Sequence, residues 1–283
     1  MQNRRWKNVL NELKHNKSAI FAVVYLTVII LFSVFAFLIP IDPDAINVSN
    51  MLASPSAKSW FGTDELGRDY LTRTIYGGRV SLLVGVAAML TSTVIGVFVG
   101  TISGYFGGFI DSLLMRIVDV ISSIPWMILV TVVSIFMQPG LKTIIIVIGL
   151  FTWMEIARLV RAETLSIKER EYVEYSAFVG EKSFAIILRH IIPSVFPTII
   201  VAATTSIAGA IMTESSLSFL GLGIQQPMSS WGSLLQSAQG NLGSAPYMAI
   251  LPGVLIILTV YSFNKLGDVM RVFVEPKITA GEK

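Results

Sequence analysis

Residues 174–193 read EYSAFVGEKSFAIILRHIIP, about twenty charged and helix-forming residues set between two apolar runs long enough to cross a bilayer. A polar loop this elaborate between two spans predicts a docking surface on one side of a membrane. Gly180 follows Glu174 by six residues, and Pro193 opens the next apolar run. Glycine tolerates the left-handed turn that ends one helix and re-aims the next, so Gly180 is the expected break.

Composition places the rest of the chain in lipid. Hydrophobic residues make up 53%, charged residues 14%, and the mean hydropathy is +0.71, which leaves too little polar surface for a soluble domain of 283 residues. Apolar runs predict spans at 20–39, 80–104, 113–137, 194–220 and 247–263, with a shorter sixth at 141–157. The expected fold is all-α and integral to the membrane, with six transmembrane helices. The segments divide as 1–19 (cytoplasmic start), 20–39 (anchor helix), 40–79 (extracytoplasmic linker), 80–263 (five-helix core with an inner loop at 158–193) and 264–283 (cytoplasmic tail).

Basic residues orient these spans. Arg4, Arg5, Lys7, Lys14 and Lys17 precede the first span against Glu12, which puts the N-terminus in the cytoplasm by the positive-inside rule. An even number of spans returns the C-terminus to the same side, where Arg158, Arg161, Lys168, Arg170, Lys182, Arg189, Lys265, Arg271 and Lys277 also fall. Lys58, Arg68, Arg73 and Arg79 lie outside, balanced by Asp42, Asp44, Asp64, Glu65 and Asp69. The pI of about 9.1 thus reflects topology, and no basic soluble patch with aromatics supports a nucleic-acid partner. The first span is read as a retained anchor, since its apolar core exceeds a signal-peptide h-region and Phe37-Leu38-Ile39-Pro40 has no small-residue cleavage site.

Small residues mark close helix contacts. Ser92, Gly96, Gly100 and Gly104 recur every fourth residue, the spacing that lets helices approach in lipid, and predict packing inside the subunit. In the fifth run Ala202, Ser206 and Ala210 form one stripe and Thr205, Gly209 and Thr213 a second. Hydroxyls on two adjacent stripes predict a wetted pathway or a partner-subunit contact. Arg116 with Asp119 and Glu155 with Arg158 are three apart, which predicts ion pairs within each helix at the inner interface. Counting from Pro193 at about 1.5 Å per residue places Glu214 near the outer boundary, either reaching outer water or standing at an outer gate.

Catalysis fails on inventory. The two histidines, His15 and His190, cannot form HExxH, there is no cysteine for a thiolate site, and no Walker loop cradles a nucleotide. The chain is therefore read as non-catalytic and without a cofactor of its own.

Four segments carry a family resemblance. The loop at 174–193 resembles the EAA loop of bacterial ABC importer permeases, with Tyr175 and Ser176 where two alanines are favoured and Ile192 where leucine is usual. Phe61-Gly62-Thr63-Asp64-Glu65-Leu66-Gly67-Arg68-Asp69 and Ser216-Leu217-Ser218-Phe219-Leu220-Gly221-Leu222-Gly223 resemble signatures of the C-type permease of oligopeptide, dipeptide and nickel importers. Ser230-Trp231-Gly232-Ser233 does so as well, while residues 225–229 depart from the family's proline-rich version. The resemblance implies a type I ABC importer permease fold in a bacterial inner membrane, most simply for peptides. It implies a second homologous permease, two ATPase subunits that use the ATP, and an extracytoplasmic binding protein. Glu174, Tyr175, Ser176, Ala177, Phe178, Val179, Gly180, Glu181 and Pro193 would seat in the ATPase groove, and Ser206, Gly209, Ala210, Thr213 and Glu214 would border the path or its outer gate. From the residues alone, FGTDELGRD reads as a capped turn on the outer surface, Gly62 and Gly67 turning and Asp64 or Asp69 capping. An ion-coupled carrier using Asp119 or Glu214, or a membrane scaffold or sensor, are the other readings open to the sequence.

Overall fold

The structure, a computed structural model, describes residue 13 and residues 15–274. Arg4, Arg5, Lys7, Glu12, Lys14 and Lys277 lie outside the described residues. What is described is helical apart from turns and one isolated bridge between Thr63 and Asp69. The helices are α1 (Lys17–Val34), α2 (Tyr70–Phe106), α3 (Gly108–Ser122), α4 (Trp126–Phe136), α5 (Leu141–Lys168), α6 (Glu171–Phe178), α7 (Ser183–Phe219), α8 (Trp231–Ala238) and α9 (Tyr247–Val274).

Among the described residues five helices are long and apolar enough to cross a membrane: Lys17–Leu38, Tyr70–Phe106, Leu141–Lys168, Ser183–Phe219 and Tyr247–Val272. The expected span at 113–137 is not a single helix, a correction with a clear cause. Pro125 has no N–H for the ladder and disfavours helical backbone at Ile124, so α3 stops at Ser122 and α4 restarts at Trp126.

The path of this broken segment follows from its neighbours. A Cβ on Gly149 would fall 2.8 Å from Thr91, one on Gly96 2.7 Å from Ile156, and one on Gly104 2.7 Å from Thr164. Residue numbers rise together along this seam, so α2 and α5 run parallel, and the intervening chain has to travel back along their length. The four-residue stripe of α2 is thus the α2–α5 seam, as its spacing predicts, and Gly100 meets the carbonyl oxygen of Ala157 there. Lipid gives no hydrophobic drive to this contact, so close van der Waals packing holds it.

Proline also shapes α7. The chain turns helical at Ser183, ten residues before Pro193, and passes through a π-helical turn at Ile187–Ile191. Pro193 stands at the start of the α-helical stretch Ile192–Phe219, as the sequence predicts, but that stretch follows directly on the π-helical turn, so the helical run as a whole begins at Ser183.

The end of the bundle that carries the start of α2 is stapled by FGTDELGRD. Asp69 caps α2 by accepting from the Thr72 N–H at 2.8 Å. Asp64 folds the turn, accepting the N–H groups of Leu66 and Arg68 at 2.9 Å and the Arg68 Nε at 2.6 Å. Arg73 reaches back from α2 to Asp44 at 2.8 Å and to Asp64 at 3.4 Å. Tyr70 donates to the Met248 carbonyl at 2.6 Å and Tyr247 to that of Thr63 at 2.7 Å, which ties linker, α2 and α9 together. The four outer cations expected from the sequence are therefore partly internal: Arg68 and Arg73 are buried against carboxylates.

Candidate functional site: the inner loop and a central cavity

The loop between α5 and α7 forms a helical hairpin. α6 ends at Phe178, and Gly180 adopts φ +83°, donating its N–H to the Ala177 carbonyl at 3.1 Å while Glu181 donates to that of Ser176 at 3.1 Å. These bonds satisfy carbonyls at the helix end, and the left-handed turn swings the chain into α7. Val173 and Ser176 face the body of the protein. Glu174, Tyr175, Ala177, Phe178, Val179 and Gly180 are exposed, Phe178 at 89%, so Tyr175, Phe178 and Val179, with the exposed Phe184 of α7, leave the hairpin with an uncovered apolar surface. Pro193 is exposed one helical stretch away, on α7. Ser176 is accommodated because its hydroxyl donates to the Tyr172 carbonyl at 3.0 Å and lies 3.3 Å from His190 Nε2. Glu181 closes the hairpin by accepting from Arg189 at 3.2 Å and lying 3.4 Å from His190.

A cavity of ≈ 1150 Å³ lies between α3, α4 and α5 on one side and α7 on the other. Both predicted stripes face it: Ala202, Thr205, Ser206, Gly209, Ala210 and Thr213 all contribute to its wall. Ser206 donates to the Ala203 carbonyl at 2.9 Å and Thr205 to that of Ala202 at 3.0 Å, so these hydroxyls are already bonded to their own helix. Gly209 leaves open space, with nothing within 4 Å of an added Cβ. The helix break also lies in the wall, through Ser122, Ile124 and Pro125. Irregular backbone at membrane depth is tolerated where it lines such a space.

Glu214 departs from the pathway expectation. It is 0% exposed and does not line the cavity; nor does it reach solvent on either side. Its carboxyl accepts from Ser81 at 3.0 Å and Ser218 at 2.7 Å, in the junction of α2, α7 and α8.

The ion pairs of α3 and α5 form between helices, not within them. Asp119 of α3 pairs with Arg158 of α5 at 3.0 Å, in place of the expected Arg116–Asp119 and Glu155–Arg158 pairs. The i,i+3 spacing permits those pairs, but α3 and α5 bring these two side chains together first. A second bridge, unanticipated from sequence, joins Asp111 to Arg161 through Nη2 at 2.6 Å, with Ser103 also donating to Asp111. The Arg161 hydrogen bond holds the Asp111 carboxyl below the usual carboxylate range. Its partners are fifty residues apart, a separation no local pattern reports. Among the described residues no His, Cys, Asp and Glu cluster could hold a metal ion.

Comparison with known proteins agrees with this architecture. Residues 96–280 match the binding-protein-dependent transport system inner membrane component, and residues 4–55 the N-terminal TM domain of oligopeptide transport permease C. The chain is 40% identical to the oligopeptide transport system permease protein OppC of Haemophilus influenzae, over 96% of this chain and 88% of that protein. It is 42% identical to the dipeptide transport system permease protein DppC of Bacillus subtilis, over 94% and 84%. It is 34% identical to the glutathione transport system permease protein GsiD of Pectobacterium atrosepticum, over 96% and 91%. Inward-facing structures of the MetNI methionine ABC transporter share the fold, with a TM-score of 0.61 at 22% identity over 72% of this chain and 97% of that one. With a family match across most of its length, relatives of about two-fifths identity and five long membrane-spanning helices, the chain belongs to the binding-protein-dependent transport system inner membrane components.

Proposed function

We propose that this permease forms one half of the translocation path of an ATP-driven importer for short peptides, the other half being a second, homologous permease. Relatives named for oligopeptides, dipeptides and glutathione support the substrate class. The observation that carries the mechanism is the continuity of α7. One continuous helical segment, Ser183–Phe219, begins in the hairpin and continues as the cavity wall from Thr198 to Thr213. At about 1.5 Å per residue it is on the order of 55 Å long, so movement imposed on the hairpin passes to the wall along one helical segment, through the π-helical turn at Ile187–Ile191 and past Pro197.

On this reading two ATPase subunits hold the hairpins of the two permeases, with Tyr175, Phe178, Val179 and Phe184 as the anchors on this side. ATP draws the ATPases together and tilts these segments to open the path outward, where a loaded binding protein delivers its peptide; hydrolysis restores the inward-facing state. Such alternation is a shift between two packings, biased by nucleotide at one end and receptor at the other. The hairpin, Lys168, Arg170 and both termini lie in the cytoplasm of a bacterial inner membrane, the side favoured by the basic residues. This chain holds no cofactor, and ATP is used by its partners.

Vesicles containing both permeases and both ATPases, supplied with the binding protein, test the proposal. Labelled tripeptide should accumulate only with ATP. Uptake by this chain alone, driven by a proton gradient, would refute it.

A further inference from the structure

The cavity wall is neutral and apolar along most of its height, and three charged side chains break that pattern: Glu155 and Arg158 of α5 and Arg271 of α9. Arg158 is already engaged, donating to Asp119 at 3.0 Å and to the Ser122 hydroxyl at 3.1 Å. Glu155 and Arg271 are exposed and have no ion-pair partner among the described residues. The hydroxyls of Thr205 and Ser206 are turned back onto their own helix, so they add little directed polarity. One free carboxylate and one free guanidinium therefore supply the strong polar handles of the cavity.

A zwitterionic peptide entering an apolar space loses hydration at both ends, a cost that opposite charges on the wall offset. Peptides of different sequence share little beyond an α-ammonium and an α-carboxylate. A wall that is bland toward side chains and charged at two points suits ligands alike only in their ends. We propose that Glu155 and Arg271 form a subsite for the termini of a peptide in this cavity, Glu155 receiving the ammonium and Arg271 the carboxylate. This rests on the translocation reading above and adds its recognition chemistry. Arg271 suits a carboxylate through its planar fork of donors, and Glu155 accepts from an ammonium as a charge-assisted hydrogen bond.

The chain has no cysteine, so a single Thr205→Cys change on the wall gives a site-specific probe within this subunit. In the assembled transporter without its binding protein, trialanine added from the cytoplasmic side should slow labelling of this position by a thiol reagent. N-acetyl-trialanine and trialanine amide should each require roughly tenfold higher concentration, the scale of one charged hydrogen bond. Adding Glu155→Gln should erase the difference between trialanine and its N-acetyl form, and Arg271→Gln that between trialanine and its amide. Equal protection by all three peptides, no protection at all, or discrimination that survives both substitutions would overturn the subsite, as would a probe that never labels. ATP-dependent uptake by the unsubstituted complex is measured alongside: if it persists while protection fails, only the subsite falls, and if it is absent the translocation reading falls too.

Discussion

Ser81 of α2 donates a hydrogen bond of 3.0 Å to Glu214 of α7, and both side chains are wholly shielded. The same Ser81 oxygen accepts the Trp231 N–H at 3.2 Å, and Ser218, which donates to the other carboxyl oxygen, accepts the Ile224 N–H at 3.1 Å. Two relays thus run from the backbone at Ile224 and Trp231 through a serine hydroxyl into one carboxyl group. Glu214 fastens α8 and the turn before it to α2 and α7.

This arrangement makes Glu214→Gln a stability change rather than a transport change. The amide places a donor opposite a serine that is already donating, so one relay is lost, at about 1–3 kcal/mol. Thermal unfolding of the detergent-solubilised complex should shift down, and Ser81→Ala should show a similar shift that is not additive with it. An unchanged melting curve would show that the relays carry no weight.

Gly180→Val and Phe178→Asp should separate docking from folding. Nothing lies within 4 Å of an added Cβ at Gly180, so the cost of Val is the left-handed backbone at φ +83°, about 1–2 kcal/mol, taken up by reorienting the hairpin. Phe178→Asp removes the most exposed anchor and leaves the core untouched. Both variants should insert normally yet lose most of the co-purifying ATPase; full recovery of the ATPase with both would exclude the hairpin as its seat.

The glycines of α2 and α7 should respond in opposite ways. A Cβ on Gly100 would sit 2.5 Å from the Ala157 carbonyl oxygen, so Gly100→Val forces α2 and α5 apart at a cost of about 1–3 kcal/mol or more. Gly209→Ala projects into the open cavity and should leave stability unchanged. Yield of monodisperse protein on size-exclusion chromatography reads both.

Asp111 gives the contact between α3 and α5 a pH dependence. The Arg161 hydrogen bond comes first among the causes that lower its pKa, ahead of the opposing effect of burial. A carboxyl depressed on folding contributes stability that is present above its unfolded value, about 3.9, and disappears as pH falls through the lower folded value. Asp111→Asn should therefore destabilise at neutral pH and converge with the unsubstituted protein in strong acid. A difference that is constant with pH would assign the loss to packing.

Topology is tested with reporters. Insertions near Lys168 or after Lys283 should report cytoplasm, and those near Lys58 or Gln239 the outside. An outside signal at Lys168 would invert the proposed orientation.

Much of this molecule is written locally. Long apolar runs determine membrane helices because lipid leaves backbone groups no partner outside the helix. Gly180 predicts its turn because only a residue without Cβ adopts φ +83° at little cost. The four-residue spacing of Gly96, Gly100 and Gly104 places them on one helix face whatever the rest of the chain does. Tertiary structure decides what those faces meet. It pairs Asp119 with Arg158 and Asp111 with Arg161 across helices, and it buries Glu214 under α8 where helix length alone put it near outer water. It also turns the hydroxyl stripes of α7 toward a cavity whose opposite wall comes from residues more than forty positions earlier. Periodicity reports which residues share a side of one helix, whereas pairing and burial depend on how separate helices are brought together in space.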